Sequence, residues 1–401
     1  MNPFRRNIPL LAFAQAMMMS STSLMVTSAA LVGRNLANDP ALATAPLAAA
    51  FVSTMLASVP AAWLMHRIGR KAGFVLASFI GATGATLAAW SIVQGAFWGF
   101  VGAAALIGTH NAFGNYYRFA AADSSPREQK GRAISWILAG GVLAAFIGPN
   151  LANLGHEWIG NAPFAGGFLA VMLLYLAAAA ALSLLRLPPQ AEDRPDDTEP
   201  VRPLREIARQ PAYRVALICA TLGYGVMSLV MTATPLAMSH HHHGLPDTAF
   251  VIQWHVLAMF APSFFTGSLI DRWGIPRILV LGALADLACV TVNLNGTSVD
   301  HFWAALMLLG LSWNFLFIGA TTLLTRCYRP SEKARVQASN DFAVFTTVTL
   351  SSLSAGALQH LFGWQLVNLG VVPMLLVALG AALWFARHER GNRIQTAPLT
   401  G

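Results

Sequence analysis

Long apolar runs, separated by short polar clusters, follow one another from Ile8 to Ala386. Twelve can be drawn, at 8–33, 44–65, 72–94, 96–121, 131–154, 164–185, 212–238, 247–270, 277–297, 299–325, 334–361 and 363–386. Each reaches the roughly 20 residues that a helix needs to cross a hydrocarbon core. The pattern predicts an all-α integral membrane protein with twelve transmembrane helices. The first run follows Arg5 and Arg6, as in a secretory signal peptide. It is too long for a signal h-region, and Gln15 and the Ser20–Ser23 stretch interrupt it. It reads as the first span, with those polar residues facing a bundle interior.

The polar clusters between the runs fix the sidedness. Of the 25 basic residues, all but Arg34 and Arg118 fall on one side if both termini are cytoplasmic. Adding or dropping one span would invert everything after it and destroy the asymmetry. Composition agrees, with 56% hydrophobic and 10% charged residues against about 25% charged in a soluble domain. The net charge of +8 suggests nucleic acid at first sight. The basic residues sit in short loops between spans, so no nucleic-acid partner is expected. Cys219, Cys289 and Cys327 are scattered without metal-ligand spacing and read as small packing residues.

The pattern also repeats. Residues 64–71, Leu-Met-His-Arg-Ile-Gly-Arg-Lys, and 269–277, Leu-Ile-Asp-Arg-Trp-Gly-Ile-Pro-Arg, are both tight basic turns between apolar runs. Pro126-Arg-Glu-Gln-Lys-Gly-Arg-Ala-Ile-Ser135 follows the fourth run, and Pro330-Ser-Glu-Lys-Ala-Arg-Val-Gln-Ala-Ser339 the tenth. With one gap, Pro, Glu, Arg and Ser fall in register. Between the halves, Pro188, Pro189, Pro195, Pro200 and Pro203 with acids from Glu192 to Glu199 suit a flexible cytoplasmic linker. The expected organisation is a six-helix bundle at 1–186, a linker at 187–211 and a second bundle at 212–401. Two parallel six-helix repeats are a transporter architecture.

Over essentially its whole length the chain resembles the major facilitator superfamily. The turn at 64–71 resembles that family's loop-2/3 signature, 269–277 its loop-8/9 twin, and 126–133 the element after the fourth helix. The resemblance implies that Arg67, Arg70, Asp123, Glu128, Asp271 and Arg272 form ion pairs between helix ends, which break as the halves rock. Arg67, Gly69, Arg272 and Gly274 recur in both repeats. The glycines suit a tight turn with positive φ. The family usually has Asp where this chain has His66, while the second copy keeps Asp271. The family's fifth-helix antiporter signature is only partly matched by Gly140, Gly141, Gly148 and Pro149, so antiport does not follow.

Several polar residues inside the runs are candidates for substrate or coupling chemistry. Arg118 is the most informative, since a guanidinium within a span is costly unless paired or wet. Asn111, Asn115 and Arg118 share one helix face. That favours a polar cavity lining over snorkelling to the nearby edge, with Asp123 as a potential partner. His255, beside Gln253, is either a packed hydrogen-bonding residue or a substrate or proton-relay group. Asp286 lies in the ninth run, which is peripheral in such folds. Asp341 lies near the start of the eleventh and suits an Arg partner or a coupling role. Asn314, beside Trp313, and Gln15 are cavity candidates. Tyr224, Met227 and Met231 share a face of the seventh run and read as packing. Consecutive His240–His243 cannot all reach one ion with good geometry, so metal function is the lesser alternative.

These observations predict a secondary transporter of a small organic solute, working by alternating access and coupled to protons. It is expected to be a multi-pass monomer in a bacterial inner membrane. No cofactor, metal or enzymatic role is expected, and no nucleotide-binding motif is present. A static sensor or assembly protein of the same fold, or a metal exporter, are the rival classes.

Overall fold

The computed structural model describes residues 3–125, 133, 136, 137, 139–187 and 202–396. Among these the protein is helical, with no strand. The helices are α1 (Pro3–Leu36), α2 (Ala45–Ile68), α3 (Arg70–Val93), α4 (Phe97–Gly114), α5 (Tyr117–Asp123), α6 (Gly140–Leu154) and α7 (Ala165–Ser183). The second half holds α8 (Leu204–Ile207), α9 (Pro211–His240), α10 (Leu245–Phe260), α11 (Ser263–Trp273), α12 (Ile275–Asn295), α13 (Val299–Leu324) and α14 (Lys333–Thr396).

By length and composition, 8 described helices can cross a bilayer, or 9 if α10 and α11 count as one bent span. Interruptions of the helices and the extent of the described residues separate this count from the expected twelve. The fourth expected span is divided by a turn at Asn115–Tyr116. The fifth falls partly outside the described residues, leaving α6 at 15 residues. The eleventh and twelfth run together as α14, although Gly363, at φ 71°, breaks the helix where they were expected to meet.

The repeated turn has one backbone. Gly69 closes α2 and opens α3 at φ 85°, ψ 148°; Gly274 joins α11 to α12 at φ 83°, ψ 152°. A Cβ on Gly69 would meet nothing within 4 Å. Conformation, not space, therefore demands glycine at that position.

Packing divides the molecule into a joined end and a parted end. At the end remote from the two turns, one core runs through both halves. It includes Leu24, Val32, Leu47 and Phe168 from the first, and Val230, Met238, Ile252 and Phe302 from the second. At the turn end each half has its own core. Leu11, Phe74 and Tyr117 belong to one, and Ala216, Ile278 and Leu323 to the other. The halves touch through α6 against α10 and α2 against α14.

Hydrogen bonds follow the same division. At the joined end Arg34 donates to Ser239 Oγ at 2.9 Å, Thr44 Oγ1 to the Leu353 carbonyl at 3.2 Å, and Asn150 Nδ2 to Gln253 Oε1 at 2.9 Å. Midway along the spans the Thr346 hydroxyl meets Met55 Sδ at 3.9 Å, and among the described residues no hydrogen bond joins the halves nearer the turns. The two cores part in that direction, and the boundary between them is the cleft referred to below.

Candidate functional site

The second half holds an aromatic cluster where α9, α10 and α13 meet, with Trp313 buried and Tyr224, Phe260 and Phe317 partly buried against the joined core. Trp313 and Phe317 lie four residues apart on α13, which puts them on one face. Their rings stack at 5.0 Å with planes 9° apart. Tyr224 of α9 sets its edge against both, at 5.4 and 5.5 Å. Phe260, the last residue of α10, meets Trp313 at 5.8 Å and 65°. Trp313 Nε1, a buried donor, has no partner among the described residues. The cluster reaches the other half at Gly141, where an added Cβ would stand 2.7 Å from Phe260 Cγ. Glycine lets α6 approach that ring.

The first half presents polar groups instead. Asn111 Nδ2 lies 3.4 Å from Thr22 Oγ1, and Asn111 Oδ1 has no partner. Asn115 caps α4 and is half-buried. Gln15 is buried on α1. Tyr116 Oη donates to the Ser58 carbonyl at 3.1 Å, tying α4's end to α2. Arg118 is exposed, with its guanidinium 4.9 Å from the Phe119 ring centre. The acid that acts on it electrostatically is Asp341, from the opposite half, with no ion pair formed. Asp341 is exposed and accepts from Asn340 Nδ2 at 3.3 Å. Arg118 does not pair with Asp123. That carboxylate binds Arg70 at 2.6 Å.

The remaining sequence candidates lie elsewhere. His255 is fully buried and donates from Nδ1 to the Leu306 carbonyl at 2.8 Å, so it faces α13 within its own half. Gln253 contacts Asn150 at the joined end. Asp286 is 1% exposed on α12, within electrostatic reach of Cys289 and beside Ser312. Asn314 is 0% exposed and hydrogen-bonded on every side by residues flanking the α10–α11 break. Arg67 lies 3.9 Å over the Trp63 ring. Asp271, Arg272 and Gly274 line a surface recess with Arg277 and Glu389. Glu128 falls outside the described residues. His243 Nε2 meets the Thr297 carbonyl at 2.6 Å, and the His243 ring packs on Phe302.

Phe260, Phe317, Thr22 and Gly141 had not been singled out from sequence as site residues. The four-residue spacing of Trp313 and Phe317 was a readable signal. The approach of Gly141 to Phe260 was not, because it joins distant parts of the chain.

The sequence profile of the Major Facilitator Superfamily matches residues 11–313 and 217–400. The chain is 40% identical over 375 residues to the riboflavin transporter RfnT of Brucella anthropi, covering 94% of each chain. It is 26% identical over 407 residues to YddS of Bacillus subtilis, described as an uncharacterized MFS-type transporter, covering 96% of this chain and 92% of that one. In structure it resembles a mutant form of the nucleoside transporter NupG, with TM-score 0.73 at 12% identity, covering 95% of this chain and 99% of that one. That likeness speaks to the fold alone.

Proposed function

This chain belongs to the Major Facilitator Superfamily and is a membrane transporter, and on that premise we propose that it carries a small solute with a flat heteroaromatic ring, of which riboflavin is the first to test. The observation that carries this reading is the aromatic cluster of Tyr224, Phe260, Trp313 and Phe317 beside the cleft. Aromatic faces hold flat rings by offset and edge contacts worth about 0.5–1.5 kcal/mol beyond their buried area. A flavin ring also carries carbonyl and N–H edges. Trp313 Nε1 and Asn111 Oδ1, a buried donor and a buried acceptor without partners among the described residues, complement them in kind. The 40% identity to a riboflavin transporter supports the same class.

With the Gly69 and Gly274 turns cytoplasmic, the cleft faces inward and the joined end seals the far side. Rocking about that end would close the cleft and expose the site outward, as alternating access requires. Proton coupling is assigned to Arg118 and Asp341, which act on each other electrostatically from opposite halves. The decisive experiment is riboflavin uptake into proteoliposomes, with and without a pH gradient. Saturable uptake and counterflow are expected, with accumulation lost when the gradient collapses. Absence of both uptake and counterflow sinks the substrate. Accumulation that survives gradient collapse sinks the coupling.

A further inference from the structure

The break between α10 and α11 bends the chain by 43° within the second half. Its local cause is Pro262, which has no N–H to give the Ala258 carbonyl and whose ring crowds the preceding turn. The next carbonyl, that of Met259, takes its donor from outside the helix. Asn314 Nδ2 donates to it at 2.7 Å and to Ser263 Oγ at 2.7 Å. Asn314 Oδ1 accepts from the Thr266 hydroxyl at 2.6 Å. The amide's two hydrogens and its oxygen are thus all engaged by residues on the two sides of the break. Asn314 has no group left for a solute.

Its neighbours in sequence give this arrangement a consequence. Met259 precedes Phe260, and Asn314 follows Trp313. One buried amide therefore fastens the backbone bearing Phe260 to the backbone bearing Trp313, whose rings meet at 5.8 Å. Phe260 in turn is the ring that meets Gly141 of the other half.

We infer that Asn314 is a positioning residue for solute recognition: by substituting for the helical donor that the break removes, it fixes the spacing of the Phe260 and Trp313 rings. The inference rests on the aromatic cluster being the solute site.

The test is riboflavin transport by the full chain in proteoliposomes, with KM and kcat measured separately at matched protein load. Asn314→Asp keeps the shape but has at most one donor where the amide has two, and Asn314→Leu has no polar group. Each is expected to raise KM about tenfold, equivalent to about 1.4 kcal/mol, with kcat changed less. Thr266→Val removes the hydroxyl that meets Asn314 Oδ1 and the Pro262 carbonyl but leaves both Asn314 donations in place, and is expected to raise KM by a smaller factor, which covers the case in which the Asn314 variants fold poorly.

A second arm separates positioning from plain stability. In Asn314→Leu combined with Pro262→Ala, a straightened helix gives the Ala258 and Met259 carbonyls their own donors again. Thermal stability is then expected to recover while KM stays raised. If KM recovers together with stability, Asn314 is merely structural and the inference falls. It falls equally if KM is unchanged in Asn314→Asp and Thr266→Val. Trp313→Ala distinguishes the two levels. If it raises KM while the Asn314 and Thr266 variants do not, only the positioning role is lost. If it leaves KM unchanged, or if the native protein neither binds nor moves riboflavin, the site itself is misassigned and both readings fall.

Discussion

The two halves share a turn and a helix plan, yet they present unlike walls to the cleft. The first offers Thr22, Asn111, Asn115 and Arg118 on α1, α4 and α5. The second offers Tyr224, Phe260, Trp313 and Phe317. Aromatic faces supply attraction without demanding a fixed rotation of the ring about its normal. Hydrogen-bonding groups supply that direction. On the proposed reading, the second half would hold the solute's ring and the first would orient it.

The strongest challenge to this division is at Arg118. Arg118→Ala is expected to abolish transport at matched membrane abundance, since the cleft then loses the cation opposite Asp341. Arg118→Lys is expected to be impaired, because Lys keeps the charge but lacks the planar fork of donors. Native rates in both variants would show that Arg118 only snorkels, and would leave the first half without its principal charge.

The next effect compares the two copies of the turn. Gly69→Ala and Gly274→Ala each force a Cβ into positive φ, at a cost of about 1–2 kcal/mol. Each should lower the thermal midpoint by several degrees. Gly267→Ala, on α11 with open space around its Cβ, is the control and should not. Equal losses at Gly69 and Gly274 would show that the halves use the turn alike. A loss at only one would break the equivalence.

The frame was legible in the sequence because its signals are local. A run of apolar residues, a glycine at a required φ and a basic loop each act over a few positions. The break at Gly363 fell at the first residue of the span drawn at 363–386. The site was less legible because its contacts join distant positions. Nothing near Arg118 announces Asp341, and only the family resemblance placed Arg70 and Asp123, 53 residues apart, in one ion-pairing set. Asn314 was read as a cavity candidate from its polarity. Its bonding to residues 48 to 55 positions earlier, visible only in the fold, accounts for that polarity.

A smaller effect is confined to acid pH and to the second half. Within the 187–211 segment, Arg202 binds Glu332 through Nε at 2.8 Å and a terminal nitrogen at 2.7 Å. Hydrogen bonds from Arg202 hold the Glu332 carboxyl down at about 2, below its ordinary 4.5. A depressed carboxylate stabilises the fold above its unfolded value, and that contribution is lost as pH falls through the folded one. The thermal midpoint should therefore fall between about pH 4.5 and pH 2, and Glu332→Gln should flatten that slope. An unchanged slope would show that the pair does not matter to stability. The smallest effect is expected at the outer loop. Replacing His240–His243 with Ser should leave transport close to native, apart from the loss of the His243 contact to Thr297. A large loss rescued by a divalent metal would reverse this expectation.

The Arg202–Glu332 pair also has a mechanical meaning. Its counterpart at the other end of the linker is Asn7, whose Nδ2 donates to the Arg186 carbonyl at 2.9 Å while its Oδ1 accepts the Arg186 N–H at 3.2 Å. The chain between the halves is thus anchored at both ends, like a leash knotted to two posts. The roughly 14 residues between Leu187 and Arg202 can reach at most about 50 Å. That length caps how far the two posts can separate. Lengthening the leash should cost little, whereas shortening it should arrest the carrier in whichever state brings the posts closer.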